Sequence, residues 1–280
     1  MKKPPVARAP GLSFLTAAIW SIGATTLFQL IVLLAFAFRP RAEIDIVAGV
    51  ACQAAAYLLA LYVFVRVYEP QQSMREILAF RRADASLCAL AAAMGVALQF
   101  PASTIGALIE KQWPYSSSEL LARAQHLEAI TPGQQIAVFV SVCLVGPLVE
   151  ELFFRGALFR GLRQRNTAGM TTFGVAAFFA AAHQDGRVFL PILLVGLAMT
   201  HLRAISGSIL PAILLHVTFN ATAIVPILGR PIEMDELREP IALVPTLVGT
   251  AATLGLLALA RTLTRHSPRA IAARSFDEAA

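Results

Sequence analysis

Of the 280 residues, 57% are hydrophobic and only 14% are charged, against about 25% charged in an average soluble domain. With a mean hydropathy of +0.68, this composition excludes an ordinary soluble globular domain and predicts a membrane protein. The net charge of +6 does not mark a nucleic-acid binder, because Lys and Arg fall between hydrophobic runs and read as charge on connecting loops.

A helix needs about 20 mostly apolar residues to cross a bilayer. Eight runs are candidates in chain order: 12–38, 44–65, 85–109, 136–160, 170–183, 188–202, 205–228 and 241–263. The first is longer than the roughly 7–15 apolar residues of a signal peptide, so it reads as an uncleaved helix. Between the second and third runs, "SMREILAFRR" (73–82) opens with Ser73 and Glu76 in a capping-box pattern and sets Ile77, Leu78 and Phe80 beside basic residues, the mark of an interfacial helix. "SSELLARAQHLEAI" (117–130) reads the same way. Cys52, Cys88 and Cys143 all fall in apolar runs without metal spacing and read as small packing residues.

The predicted fold is therefore all-α: a polytopic membrane helix bundle of about eight transmembrane helices. It forms one domain over 1–264, with a catalytic core at about 132–228, and residues 265–280 are a disordered cytoplasmic tail. Placing the N-terminus inside puts most of the 23 Lys and Arg on that side, including Lys2, Lys3, Arg8, Arg66, Arg81, Arg82, Arg163, Arg261 and Arg274. Arg39, Arg41, Lys111, Arg187 and Arg238 fall opposite. This bias predicts a multi-pass protein of the inner cell membrane with both termini cytoplasmic.

Charge inside a span is expensive, about 2.5–3.5 kcal/mol per residue on insertion scales, and marks function by default. Three clusters interrupt the apolar runs. In "PLVEELFFRG" (147–156), Glu151 and Arg155 are four residues apart and share a helix face, where they pair. Glu150 is turned about 100° away. Either both acids are structural, locked to Arg155 and neighbouring helices, or Glu150 is a general base. His183 closes the fifth run one turn after Phe179, on the same face; alone it is a helix-end residue as readily as a site residue. In "RAISGSILPAILLHVTFNA" (203–221), His216 and Asn220 share a face in mid-run, one turn after Pro211. They either join helices by hydrogen bonds or aim two donors at one point, as an oxyanion hole requires.

In order and spacing, Glu150-Glu151-x-x-x-Arg155, Phe179-x-x-x-His183 and His216-x-x-x-Asn220, the last preceded by Arg203, Gly207-Ser208 and Pro211, resemble the type II CAAX prenyl proteases and the bacterial CPBP (Abi-type) intramembrane proteases. The motifs span 150–220, about a quarter of the chain. The resemblance implies an intramembrane endopeptidase whose substrate is a membrane protein or lipidated peptide, cut near its membrane-embedded or lipidated C-terminal part. It implies that Glu150, with His183, activates a water, that His216 and Asn220 stabilise the oxyanion, and that Glu151 and Arg155 support them. No cofactor and no covalent intermediate are implied.

A zinc-dependent version, with Glu150, His183 and His216 as ligands, is the mechanistic rival. The absence of an H-E-x-x-H pattern and of a nearby cysteine weighs against it. A non-catalytic immunity or scaffold protein is the functional rival. A proton-coupled transporter is a further one, disfavoured by the lack of an internal repeat. One geometric difficulty stands out. At 1.5 Å per residue, counted from Arg160 and Asn166, Glu150 and His183 lie about 10 Å apart in depth, so a shared water requires tilted helices or a deeper Arg160.

Overall fold

The computed structural model describes residues 11–38, 45–70, 72–231, 242–268 and 270–272. Among these residues the chain is built of helices, with no strand. In order they are α1 (Phe14–Phe38), α2 (Ile46–Tyr68), a single turn α3 (Met74–Ile77), α4 (Ala85–Gln112), α5 (Ser117–Leu127), α6 (Pro132–Arg163), α7 (Ala168–Ala181), α8 (Gly186–Ser206), α9 (Leu210–Ile224) and α10 (Leu243–His266). Seven of them are long and apolar enough to cross a membrane, and α7, of 14 residues, is a shorter apolar helix. The result is the all-α polytopic bundle of about eight spans that the apolar runs predict.

Local chemistry sets the helix ends. Side-chain oxygens of Asp45, Ser116, Thr131, Thr167 and Asp185 accept main-chain N–H bonds in the first turns of α2, α5, α6, α7 and α8. Such caps satisfy donors that a helix start leaves open. Pro132 fits the first position of α6, where its missing N–H is no loss. Gly207 stops α8 in the left-handed region, φ 65, which glycine enters without strain.

Helices in lipid gain little hydrophobic drive for association and pack instead through small residues and hydrogen bonds. The centrally placed α4 contacts α8, α9 and α10. At Gly95 its backbone comes so close to α9 that a Cβ would fall on Thr218 Oγ1 and the Leu215 carbonyl. Thr218 Oγ1 donates across this contact to the Ala92 carbonyl at 2.9 Å. Gly249 brings α10 close to α4 in the same way, where a Cβ would fall 2.6 Å from the Ala97 carbonyl. On the other side, α6 lies between α2 and α9. It is the most enclosed span, 56% buried over its apolar window against 17% for α10, so the polar motif sits at the bundle's centre. Outward faces carry Leu15, Leu33, Leu243 and Leu247, a surface that suits lipid and would be an aggregation liability in water.

The segment 73–82 departs from its expected form. Only one turn of helix forms, and Ile77, Leu78 and Ala79 are buried in the core rather than lying along an interface. Leu78 fills a notch at Gly156 of α6. The segment also docks on the loop before α9: Ile209 N–H donates to the Ala79 carbonyl (3.2 Å) and Ser208 Oγ to the Arg81 carbonyl (2.7 Å). The second expected interfacial segment does form a helix, α5, closed by a capping box between Ser116 and Glu119. Helix α10 continues to His266, past the expected domain end at 264. Lys2, Lys3, Arg8, Arg39, Arg41, Arg238 and Arg274, used above for orientation, and most of the expected tail lie outside the described residues.

Candidate active site

Helix α6 is not a uniform α-helix. Two π-helical segments, Val140–Val145 and Leu152–Leu158, bracket the α turn Gly146–Glu151 that carries both acids. Such segments concentrate at functional sites because they redirect side chains and loosen the main-chain ladder. In the first of them, Gly146 N–H bonds the Ser141 carbonyl, and the next residue is Pro147, which has no N–H to give. The Val142 carbonyl is thus left without a helical donor. Asn220 of α9 supplies one, its Nδ2 donating at 2.9 Å.

The second π segment is held from α8. Arg203 is fully buried and its Nε donates to the Arg155 carbonyl at 3.1 Å. Arg155 is also fully buried. It pairs with Glu151 Oε1 (2.8 Å), donates to Thr200 Oγ1 (3.2 Å) and the Gly196 carbonyl (3.3 Å), and lies over the Phe179 ring, 4.2 Å from its centroid. A buried charge pair needs its hydrogen bonds filled; Arg155 and Glu151 Oε1 are well partnered, whereas the buried Glu151 Oε2 has no partner.

Glu151 has a second partner. Its Oε1 meets His216 Nδ1 at 3.0 Å, while His216 Nε2 faces Glu150 Oε2 at 3.6 Å. One imidazole therefore stands between the two acids, with the chain Arg155–Glu151–His216 fixing its orientation. Glu150 is not unattached, as its position in the sequence suggests: its Oε1 accepts a 2.7 Å hydrogen bond from Gln53 Nε2 of α2.

His183 lies just past the end of α7, its Nδ1 bonded to the Phe179 carbonyl at 2.9 Å. Because a carbonyl only accepts, Nε2 is the ring nitrogen left uncommitted. Phe179 stands edge-on to both imidazoles, with centroids 5.0 Å from His183 and 5.6 Å from His216.

Glu150, His183, His216 and Asn220 line one cavity of about 390 Å³, together with Gln53 and apolar residues including Val50, Ile192 and Phe219. The helix ends account for this meeting of Glu150 and His183. Helix α6 runs on to Arg163 and α7 starts only at Ala168, so at 1.5 Å per residue the two sites lie about 20 and about 22 Å from those ends. Arg160 is buried against Glu69 (3.3 Å) rather than marking the helix end. No hydrogen bond joins Glu150 to His183 directly. Among the described residues no three His, Cys, Asp or Glu side chains are placed to hold a metal ion.

Beyond His183 the chain turns through Gln184, φ 58, into a polar clamp. Asp185 accepts from Arg187 N–H (2.9 Å) and Nε (3.0 Å) and from Tyr115 Oη (3.0 Å). Arg187 also reaches Glu119 of α5 at 2.7 Å and lies over the rings of Tyr115 and Trp113. The Arg187 hydrogen bond, helped by those from Ser116, holds the Glu119 carboxyl down to about 2 from its ordinary 4.5. Burial pushes Asp185 up, but the bonds from Arg187 and Tyr115 outweigh it and keep the group below its ordinary value.

Gln53 escaped the motif reading. Its one trace in the sequence is that it is the lone carboxamide in an otherwise apolar span, and intramembrane polar residues point to a partner.

No curated protein and no solved structure matches the chain significantly. A family model does match, that of the type II CAAX prenyl endopeptidase Rce1-like proteins, over residues 132–222, about a third of the chain. The matched stretch starts at the first residue of α6 and ends just past Asn220, so it contains all four motif side chains of the cavity. Over the segment that builds this cavity, the chain is similar to the Rce1-like family of type II CAAX prenyl endopeptidases.

Proposed function

We propose that the protein is a glutamate-type intramembrane endopeptidase. It hydrolyses a peptide bond near the membrane-embedded or lipidated C-terminal part of a protein substrate. The observation that carries this reading is the convergence of Glu150, His183, His216 and Asn220, from α6, the end of α7 and α9, on one cavity inside an apolar bundle.

Gln53 fixes one oxygen of Glu150 and leaves the other to take a proton from a water directed at the scissile carbonyl carbon. His183, which lines the same cavity, holds that water through Nε2. As the new C–O bond forms, the carbonyl oxygen takes negative charge; the carboxamide of Asn220 stabilises it together with His216, which must then carry a proton on Nε2 as well as the one that Nδ1 gives Glu151. Glu151 and Arg155 keep His216 from turning. The C–N bond then breaks, and the proton taken up by Glu150 passes to the leaving amine. Donors fixed in a poorly hydrated cavity act more strongly than in water. The scheme uses no metal, so proteolysis should survive strong chelators; loss of activity on chelation, restored by zinc, would replace this scheme with the zinc-dependent one. The charge bias of the loops supports insertion in the inner membrane with both termini cytoplasmic.

The decisive comparison is of membrane-protein termini, by mass spectrometry, in cells carrying the native chain or Glu150→Gln at equal insertion. Loss of a general base typically lowers the rate by about 10²–10⁴-fold, so specific membrane-proximal termini should vanish in the variant. Identical termini in the two strains would leave a non-catalytic immunity or scaffold role.

A further inference from the structure

A second, larger cleft, of about 510 Å³, lies at the opposite end of α7 from His183, between α7, α8 and α10. Its inner wall is apolar, formed by Phe159, Phe173 and Leu197, and its rim carries Arg163 and Arg261. Arg261 Nε donates to His201 Nε2 at 2.9 Å. The imidazole therefore acts as an acceptor and brings no negative charge, and no carboxylate pairs with Arg261 among the described residues.

A second source of positive potential converges on the same place. The first residues of α7, Ala168 and Gly169, line the cleft. Their N–H groups are the open donors of the helix start, because Thr167 Oγ1 is spent on Met170 N–H. Open N–H groups and the helix dipole favour an anion there. Arg261 is five residues before the end of α10 and His201 five before the end of α8, so both lie about 7 Å inside the ends of their helices.

We propose that this cleft binds one anionic phospholipid. The phosphate sits between Arg261, Arg163 and the first amides of α7, and an acyl chain runs along Phe159, Phe173 and Leu197. Charge complementarity selects an anionic lipid over a zwitterionic one, as in other basic pockets between transmembrane helices, and the apolar wall selects a lipid over a free anion. The site is independent of the protease chemistry.

The test uses the full chain purified in detergent and native mass spectrometry, with dioleoyl phosphatidylglycerol, dioleoyl phosphatidylcholine and inorganic phosphate as probes. The native protein should retain one phosphatidylglycerol about tenfold more tightly than phosphatidylcholine, the scale of a charge-assisted contact. Arg261→Gln should remove that preference. Gly169→Asp should do the same by placing a carboxylate in the cleft. A Cβ at Gly169 meets open space and an acidic first turn suits a helix, so this variant keeps the test decisive should Arg261→Gln misfold. Equal retention of the two lipids, or undiminished preference in the variants, overturns the proposal. Displacement of phosphatidylglycerol by inorganic phosphate overturns it in favour of a free-anion site.

Discussion

At the scale of single residues, the cavity depends on neutral side chains as much as on the acids. Gln53 is the direct partner of Glu150. Its loss would leave the carboxylate free to rotate, so Gln53→Ala should lower kcat by about 10–100-fold with little change in KM, the range seen when an outer partner of a site is removed. A steady-state assay on a cleaved peptide checks this, and an unchanged kcat would make the bond merely structural. The acids and histidines were visible in the sequence because ionisable groups stand out in an apolar run. Gln53 was not, because a lone amide 97 residues away carries no charge and only tertiary packing brings it to Glu150. The difference between Glu150 and Glu151 was half visible. Helix spacing gave Glu151 to Arg155, but the contact of Glu151 with His216 joins two distant helices and has no local trace.

At the scale of elements, close approach of helices holds the site's walls in place. The contact of α4 with α9, the helix carrying His216 and Asn220, exists because Gly95 has no side chain. Gly95→Val should lower the melting temperature in detergent, with overpacking of this kind destabilising by about 1–3 kcal/mol. Gly49→Ala is the matched control, since a Cβ there meets nothing within 4 Å; equal effects would show that the close approach is not limiting. Helix number and order were legible from the apolar runs because length and hydropathy are what a bilayer selects. Helix ends were legible only to within a few residues, and that error created the apparent depth gap between Glu150 and His183. The segment 73–82 reads as an interfacial helix in the sequence, yet only Met74–Ile77 is helical. Its apolar residues turn inward onto Gly156, and sequence periodicity does not say which neighbour a short apolar face meets.

At the scale of the whole molecule, the end of the bundle near His183 is fastened by the clamp of Glu119, Arg187, Asp185 and Tyr115. Glu119 is held below its ordinary value, so its contribution is complete above about pH 4.5 and disappears as pH falls toward 2. Emission from Trp113, which stacks with Arg187, should change over that window in a Trp20→Phe background and stay flat when Arg187→Met removes the clamp. A change centred above pH 5 would assign it to another group. The clamp joins the start of α5 to the start of α8, a link between segments far apart in the chain that neither segment announces. The fold class followed from bulk composition, whereas this cross-link and the basic cleft at the other end required the packed bundle.

The π segments of α6 have a consequence for tolerance to length change. Removing one residue from an ordinary α-helix rotates everything on one side by about 100° and scrambles its faces. A π turn already holds a residue beyond α-helical register. A single deletion at 140 or 141 therefore lets that turn relax to an α turn, with Gly146 N–H moving to the Val142 carbonyl, while Thr131 and Glu150 keep their original faces. The Val142 carbonyl, no longer displaced from the ladder, would then release the carboxamide of Asn220. Shortened by one residue there, the helix would still span and still pack, yet its polar neighbour would have lost its anchor.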